Sequence, residues 1–146
     1  MSDSTSGIAH PNVALIKYWG KCDVTENIPS TPSLSITLYE LATKTTITEH
    51  NSDEIWLNHK KVIDQKILRF LKQIRTETGI GAVKIETENN FPTGAGLASS
   101  ASGFAALVTA LNSHFSLGFS QNEISGLARR GSASSARSIF GGIVSL

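Results

Sequence analysis

The stretch FPTGAGLASSAS, residues 91–102, places Gly94 and Gly96 and the hydroxyls of Ser99, Ser100 and Ser102 directly ahead of an apolar run. Glycine at such positions permits positive φ and lets a large ligand approach the backbone. A helix starting near Ser99 presents unpaired N–H groups and the positive end of its dipole, a geometry suited to phosphate. The serines add donors, and one hydroxyl could ligate Mg2+. No lysine follows the second glycine, so this is not the G-x-x-x-x-G-K-[ST] loop. On residue types alone, a capped helix after a glycine turn explains the stretch equally well. Two further stretches shift that balance. In NVALIKYWGK, residues 12–21, Lys17 and Lys21 bracket Tyr18 and Trp19. Read as a strand, it points Lys17, Trp19 and Lys21 one way and Tyr18 the other. In ARRGSASSAR, residues 128–137, Ser132, Ser134 and Ser135 crowd a turn before a short helix. Arg137 follows and could fork onto phosphate or carboxylate. Taken alone, Arg129 and Arg130 read as solvent-facing charges at a helix C-terminus.

These groups belong to a chain of 146 residues, enough for one domain with a real core. Hydrophobic content of 40% and charged content of 17% argue against disorder. A formal net charge of +1 gives no global field for nucleic acid or membrane, so any anion site must be local. Cys22 is the sole cysteine, which rules out an internal disulfide and fits a reducing cytoplasm. The opening MSDSTSGIAH has neither the basic region nor the apolar stretch of a signal peptide, and no apolar segment reaches bilayer length. His10, His50, His59 and His114 lack metal-ligand spacing and read as surface or strand-end residues.

The elements that must position the three stretches follow from periodicity. Residues 1–7 read as a loose tail and 8–19 as a strand broken near Pro11. After the turn at 29–33, Leu34, Ile36 and Leu38 alternate with polar residues and predict a half-buried strand. The β-branched, polar run 43–50 predicts an edge or solvent-facing strand, hairpin-paired with 54–57. Lys60 and Lys61 read as a solvated turn, with residues 60–69 within reach of a ligand. Asp64 predicts a cap for a helix carrying Ile67, Phe70, Leu71 and Ile74 on one face, ended by Gly79. Val83 and Ile85 predict a strand. Phe104, Leu107, Val108 and Leu111 give the helix after the serines its apolar face. Ser120 and Glu123 predict a capping box, and Ile143 to Leu146 a final strand. Strands early and helices interleaved later indicate an α+β domain.

At these stretches the sequence resembles the GHMP kinase superfamily and, within it, the diphosphomevalonate decarboxylases. NVALIKYWGK, PSLSITL, FPTGAGLASSASGFAAL and ARRGSASSARSIFGG stand in the family's order and at its approximate spacing. The likeness extends from Ile8 to the end. It implies a ribosomal protein S5 domain 2-like, N-terminal GHMP kinase-type domain over residues 1–146. It also implies an ATP- and Mg2+-dependent reaction, in which the 3-hydroxyl of mevalonate 5-diphosphate is phosphorylated. Loss of phosphate and CO2 then gives isopentenyl diphosphate. Pro92, Thr93, Gly94, Ala95, Gly96, Leu97, Ala98, Ser99, Ser100 and Ser102 correspond to the ATP phosphate loop, with Ser100 on the Mg2+ side. Tyr18, Trp19, Gly20 and Lys21 correspond to the segment meeting the substrate diphosphate, and Lys17 supports them. Ser132, Ala133, Ser134, Ser135, Ala136 and Arg137 correspond to further substrate contacts, Arg137 near the carboxylate and hydroxyl end.

The family usually has glycine where this chain has Ala133, and often alanine where it has Ser135. Its catalytic aspartate, a further arginine and a cleft-closing C-terminal domain have no counterpart in these 146 residues and are expected beyond Leu146. The expectation is therefore no catalytic residue in this chain, and little turnover by the chain alone. The expected partner is mevalonate 5-diphosphate, with no nucleic acid or membrane and a homodimer as the assembly. A mevalonate 3-kinase or phosphomevalonate decarboxylase on the same framework is one rival. A non-catalytic nucleotide- or partner-binding module is another.

Overall fold

The structure, a computed structural model, describes residues 3–17, 20–92 and 99–145. Its main sheet has five strands in the order β1-β6-β9-β7-β8. These are β1 (Ser4–Ala9), β6 (Thr43–Glu49), β7 (Glu54–Leu57), β8 (Lys60–Val62) and β9 (Val83–Asn89). A three-stranded sheet runs β10 (Ile143–Ser145), β5 (Leu34–Thr37), β2 (Asn12–Ile16), and β3 (Lys21–Asp23) pairs with β4 (Ile28–Pro29). The α-helices are α1 (Gln65–Thr78), α2 (Ser99–His114) and α3 (Gln121–Gly131), followed by a 3-10 helix (Ala133–Ile139). One mixed sheet and two antiparallel ones, packed by helices, make this an α+β domain.

Local chemistry sets the helices. Asp64 caps α1 by accepting from the N–H groups of Lys66 and Ile67, and Gly79 ends it at φ 72°. Phe70, Leu71 and Ile74 are the buried face. The Ser120–Glu123 capping box starts α3. Helix α2 is buried along most of its length, from Ala101 to Leu111, which makes it the central helix. Phe104, Leu107, Val108 and Leu111 join Ile47, Ile55, Val83 and Ile85 of the sheet in one core. At Gly7 a β-carbon would stand 2.5 Å from the Ala106 carbonyl oxygen, so β1 lies against α2 only because that residue has no side chain.

Several strands depart from the sequence expectation. Ser4–Gly7 are not a tail but pair with β6. Strand β6 is no edge: it lies between β1 and β9 and buries Thr43, Thr45 and Ile47 completely. Its buried hydroxyls are satisfied, Thr43 by Asn89 and Ser102 and Thr45 by Thr87. Strand β7 pairs in parallel with β9 and antiparallel with β8, not with β6. Lys60 and Lys61 belong to β8 rather than to a turn. The faces of β5 are inverted, with Ser35 and Thr37 buried and Ile36 exposed. Ile36 pairs with Val13 on one side and Ile143 on the other, and all three are exposed, giving an apolar stripe across that sheet. The final strand is present as β10 over Ile143–Ser145, antiparallel to β5, while Leu146, expected as its last residue, lies outside the described residues. Strand β2 ends at Ile16, so Lys17 lies outside it and Lys21 opens β3. His114 is no surface residue: its side chain is 5% exposed, with Nδ1 3.1 Å from the Thr5 hydroxyl. Among the described residues no helix is long and apolar enough to cross a membrane.

Candidate functional site

Two cavities flank the amino ends of α1 and α2. The first, about 230 Å3, is mostly apolar. Its walls include Trp56 and Leu57 of β7, Val62 of β8, Ile67 of α1, Ile85 of β9, and Phe104 and Leu107 of α2. Ser99 and Ser100, the first turn of α2, also line it. The capped start of α1 supplies Asp64 and Lys66. A flat apolar ligand carrying a negative tail fits such a wall, because the tail then meets the positive amino end of α2.

The second cavity, about 480 Å3, is polar. Lys21 of β3, Lys66, Arg69 and Gln73 of α1, Arg130 of α3, and Ser132, Ala133 and Ser134 line it, with Asn27 and Phe70. Arg130 is neutralised: its Nε donates to Glu26 at 2.8 Å and its Nη1 to Glu77 at 2.5 Å. Burial opposes the charge on Arg130, but these two carboxylates outweigh it and raise its pKa. Among the described residues, Lys21, Lys66 and Arg69 have no carboxylate within ion-pair distance. Three unneutralised cations on one wall form a local anion site in a chain of net charge +1.

Two elements steer Lys21. Gly20 turns the chain at φ 77°, and its carbonyl accepts from the Ser30 N–H at 3.3 Å. The Lys21 ammonium then donates to Asn27 Oδ1 at 2.6 Å. Asn27, itself at φ 55°, donates through Nδ2 to the carbonyls of Arg129 and Arg130. The β3–β4 hairpin is thereby tied to the end of α3, beside the serines. Arg129 adds an Nε bond to the Glu26 carbonyl at 3.0 Å, so neither arginine is a free solvent charge.

The cavities meet at the start of the 3-10 helix. Ser100 Oγ and Ser132 Oγ lie 3.5 Å apart, the first lining the apolar cavity and the second the polar one. Ser135 donates to the Ser100 carbonyl at 3.2 Å and fixes the two helix starts together. Ser132 and Ser134 hydroxyls are 3.3 Å apart.

The structure brings Lys21, Ser132, Ala133 and Ser134 together, with Ser99 and Ser100 adjacent. Arg137 is buried and lines neither cavity. Its Nε donates to Asn12 Oδ1 at 3.3 Å and its Nη1 to Ser33 Oγ at 2.7 Å. Asn12 in turn donates to the Ser134 carbonyl and the Ser138 hydroxyl. Arg137 thus joins β2, the turn before β5 and the 3-10 helix behind the serines. Ser102 is buried, its hydroxyl shared with Thr43 and the Ser99 carbonyl. Ser135 and Ala136 are buried too, whereas Lys17, Gly20 and Pro92 are exposed. Tyr18, Trp19 and Thr93 to Ala98 lie outside the described residues.

Sequence reasoning did not assign Asn27, Gln73 or Arg130 to the site, and it took Lys66 and Arg69 only within the span 60–69. The signal was present in α1: Lys66, Arg69 and Gln73 follow an i, i+3, i+7 spacing and share one polar edge of the helix.

The sequence matches the family described as diphosphomevalonate decarboxylase-like N-terminal domain over residues 9–146. It is 42% identical to a diphosphomevalonate decarboxylase of Saccharomyces cerevisiae, over 99% of this chain and 42% of that one. The fold resembles a crystal structure of mevalonate diphosphate decarboxylase from Staphylococcus aureus, with TM-score 0.92 and 43% identity. That match covers 99% of this chain and 46% of the other. It also resembles a structure of MDDEF in complex with MVAPP, AMPPCP and magnesium, with TM-score 0.90 and 42% identity, over the same shares of the two chains. The chain therefore spans less than half the length of these relatives.

Proposed function

The chain belongs to the diphosphomevalonate decarboxylase family through its N-terminal domain, and from that premise we propose that its two cavities hold the two anions of an ATP-dependent decarboxylation of mevalonate 5-diphosphate. The observation that carries this reading is the 3.5 Å approach of Ser100 and Ser132, which places the two cavities side by side. The nucleotide base occupies the apolar cavity, and its phosphates meet the amino end of α2 and the glycine loop before it. The substrate diphosphate occupies the polar cavity, against Lys21, Lys66 and Arg69, with Ser132 and Ser134 as neutral donors. Lys17, Tyr18, Trp19 and Gly20 are further substrate contacts in this reading.

Phosphoryl transfer needs positioning and charge neutralisation more than covalent chemistry. The chain's own groups do this work. Helix α2 orients phosphate oxygens by its N–H groups, and the hydroxyls of Ser99 and Ser100 offer oxygen donors at the same end. Those donors fit Mg2+, which prefers few protein oxygens beside phosphate and water. The described residues contain no cluster of three or more His, Cys, Asp or Glu that would favour another metal. Ser100 would be the protein oxygen that holds Mg2+, which would supply neutralisation of phosphate charge when bound. Arg137 holds the 3-10 helix in place from behind and presents Ser132 and Ser134 to the substrate.

The family's catalytic aspartate and closing domain are, on this reading, supplied by polypeptide other than the stretch that ends at Leu146. A homodimer and a cytoplasmic location belong to the same proposal. Calorimetric titration of the chain with mevalonate, its 5-phosphate and its 5-diphosphate tests the substrate. The 5-diphosphate binds tightest if three cations read two phosphates, and equal affinity for all three overturns the assignment. The purified chain should release no CO2 from ATP and mevalonate 5-diphosphate, and sustained release would show that no further domain is required.

A further inference from the structure

Lys66 is the one described residue that lines both cavities. It sits in the first turn of α1, where its backbone N–H donates to the Asp64 cap at 2.9 Å. Its ammonium lies 5.2 Å from the centroid of the Phe104 ring. Phe104 is a wall of the apolar cavity and is 5% exposed, so an otherwise exposed lysine has its ammonium beside a fixed ring. No carboxylate among the described residues neutralises it.

We propose that Lys66 is a bridging cation, one positive charge shared by the nucleotide phosphates and the substrate diphosphate, which lets both anions bind at once. The inference rests on the two-cavity reading above. Its physical basis is repulsion. Two polyanions held in adjoining cavities oppose each other, and the repulsion grows as their separation falls. Lys21, Arg69 and Arg130 line the polar cavity alone, and among the described residues the apolar cavity has no other cation than Lys66. The ammonium is the group whose charge serves both ligands, so its removal should weaken each and make them antagonists.

The test titrates the whole chain with ATP, with inorganic pyrophosphate, and with each in the presence of the other, all in excess Mg2+. Lys66→Gln should weaken both ligands about ten-fold. It should also make pyrophosphate lower the affinity for ATP by more than it does in the unaltered chain. Lys66→Arg, which keeps the charge, should restore most of both affinities. Arg69→Gln should weaken pyrophosphate alone, and Trp56→Ala should weaken ATP alone. If the unaltered chain binds both ligands and Lys66→Gln changes only one or neither, the bridging role is wrong and the two-cavity reading stands. If the unaltered chain binds neither ligand, the two-cavity reading fails and the bridging role with it.

Discussion

Lys21 shows how a single ammonium is aimed. Its stem leaves a left-handed glycine, and its head is held by Asn27, whose other contacts are backbone carbonyls of α3. Lys21→Ala should reduce pyrophosphate affinity by roughly 10- to 100-fold, since hydrogen bonds to charged groups are worth about 1.5–3 kcal/mol. Asn27→Ala should cost less affinity, because the ammonium remains but loses its guide, and calorimetry on both variants checks the order. Arg137 makes a different prediction. It touches Asn12 and Ser33 inside the protein, so Arg137→Leu should lower unfolding free energy by about 2–4 kcal/mol through unsatisfied buried partners. Urea unfolding reads that loss. The serines and Lys21 were legible as residues because their types and clustering stand out in one short stretch. Arg69 and Lys66 did not stand out from the span around them, because their meaning comes from α1 lying beside residues more than 60 positions away.

Helix ends were the most legible elements, because capping is a local code. Asp64, Gly79 and the Ser120–Glu123 box act where the sequence places them. The box also makes a pH prediction. The Ser120 backbone N–H and then its hydroxyl hold the Glu123 carboxylate below its usual pKa. A depressed folded pKa contributes stability above the ordinary carboxylate range, and that stability is lost as pH falls through the folded value. Glu123→Ala should therefore melt at a lower temperature than the unaltered chain near neutral pH, and the gap should close as the medium is acidified through the carboxylate range; thermal melts under both conditions measure it. Strands were less legible, and β5 and β6 give the reason. Period-2 alternation says that two faces differ but not which one meets the core. In β5 the polar face is inside, where Thr37 bonds the Phe140 carbonyl. In β6 threonines read as solvent-facing because a hydroxyl's partner on another element, Ser102 of α2 or Thr87 of β9, cannot be seen from its own strand. The parallel pairing of β7 with β9 spans the whole of α1, and nothing within either strand announces it.

At the scale of the whole molecule, close packing around α2 ties stability to both cavities. Gly7→Ala would drive a methyl into the Ala106 carbonyl, backbone against backbone, with no flexible end to give way. That variant should be destabilised by about 1–3 kcal/mol or more, read as a lower urea midpoint. At Gly131 an added methyl would overlap the Phe104 ring, the same ring that supports Lys66. Gly131→Ala should therefore displace that ring and weaken ATP and pyrophosphate together, where a remote packing defect would change stability alone. The bond between Arg137 and Asn12 joins positions 125 apart in sequence. During synthesis on a ribosome, then, the first strands wait for nearly the last helix to emerge before the serine shelf between the cavities has a back wall. A nascent chain stalled before residue 137 should be captured by neither an ATP resin nor a pyrophosphate resin, however well its early hairpins have formed.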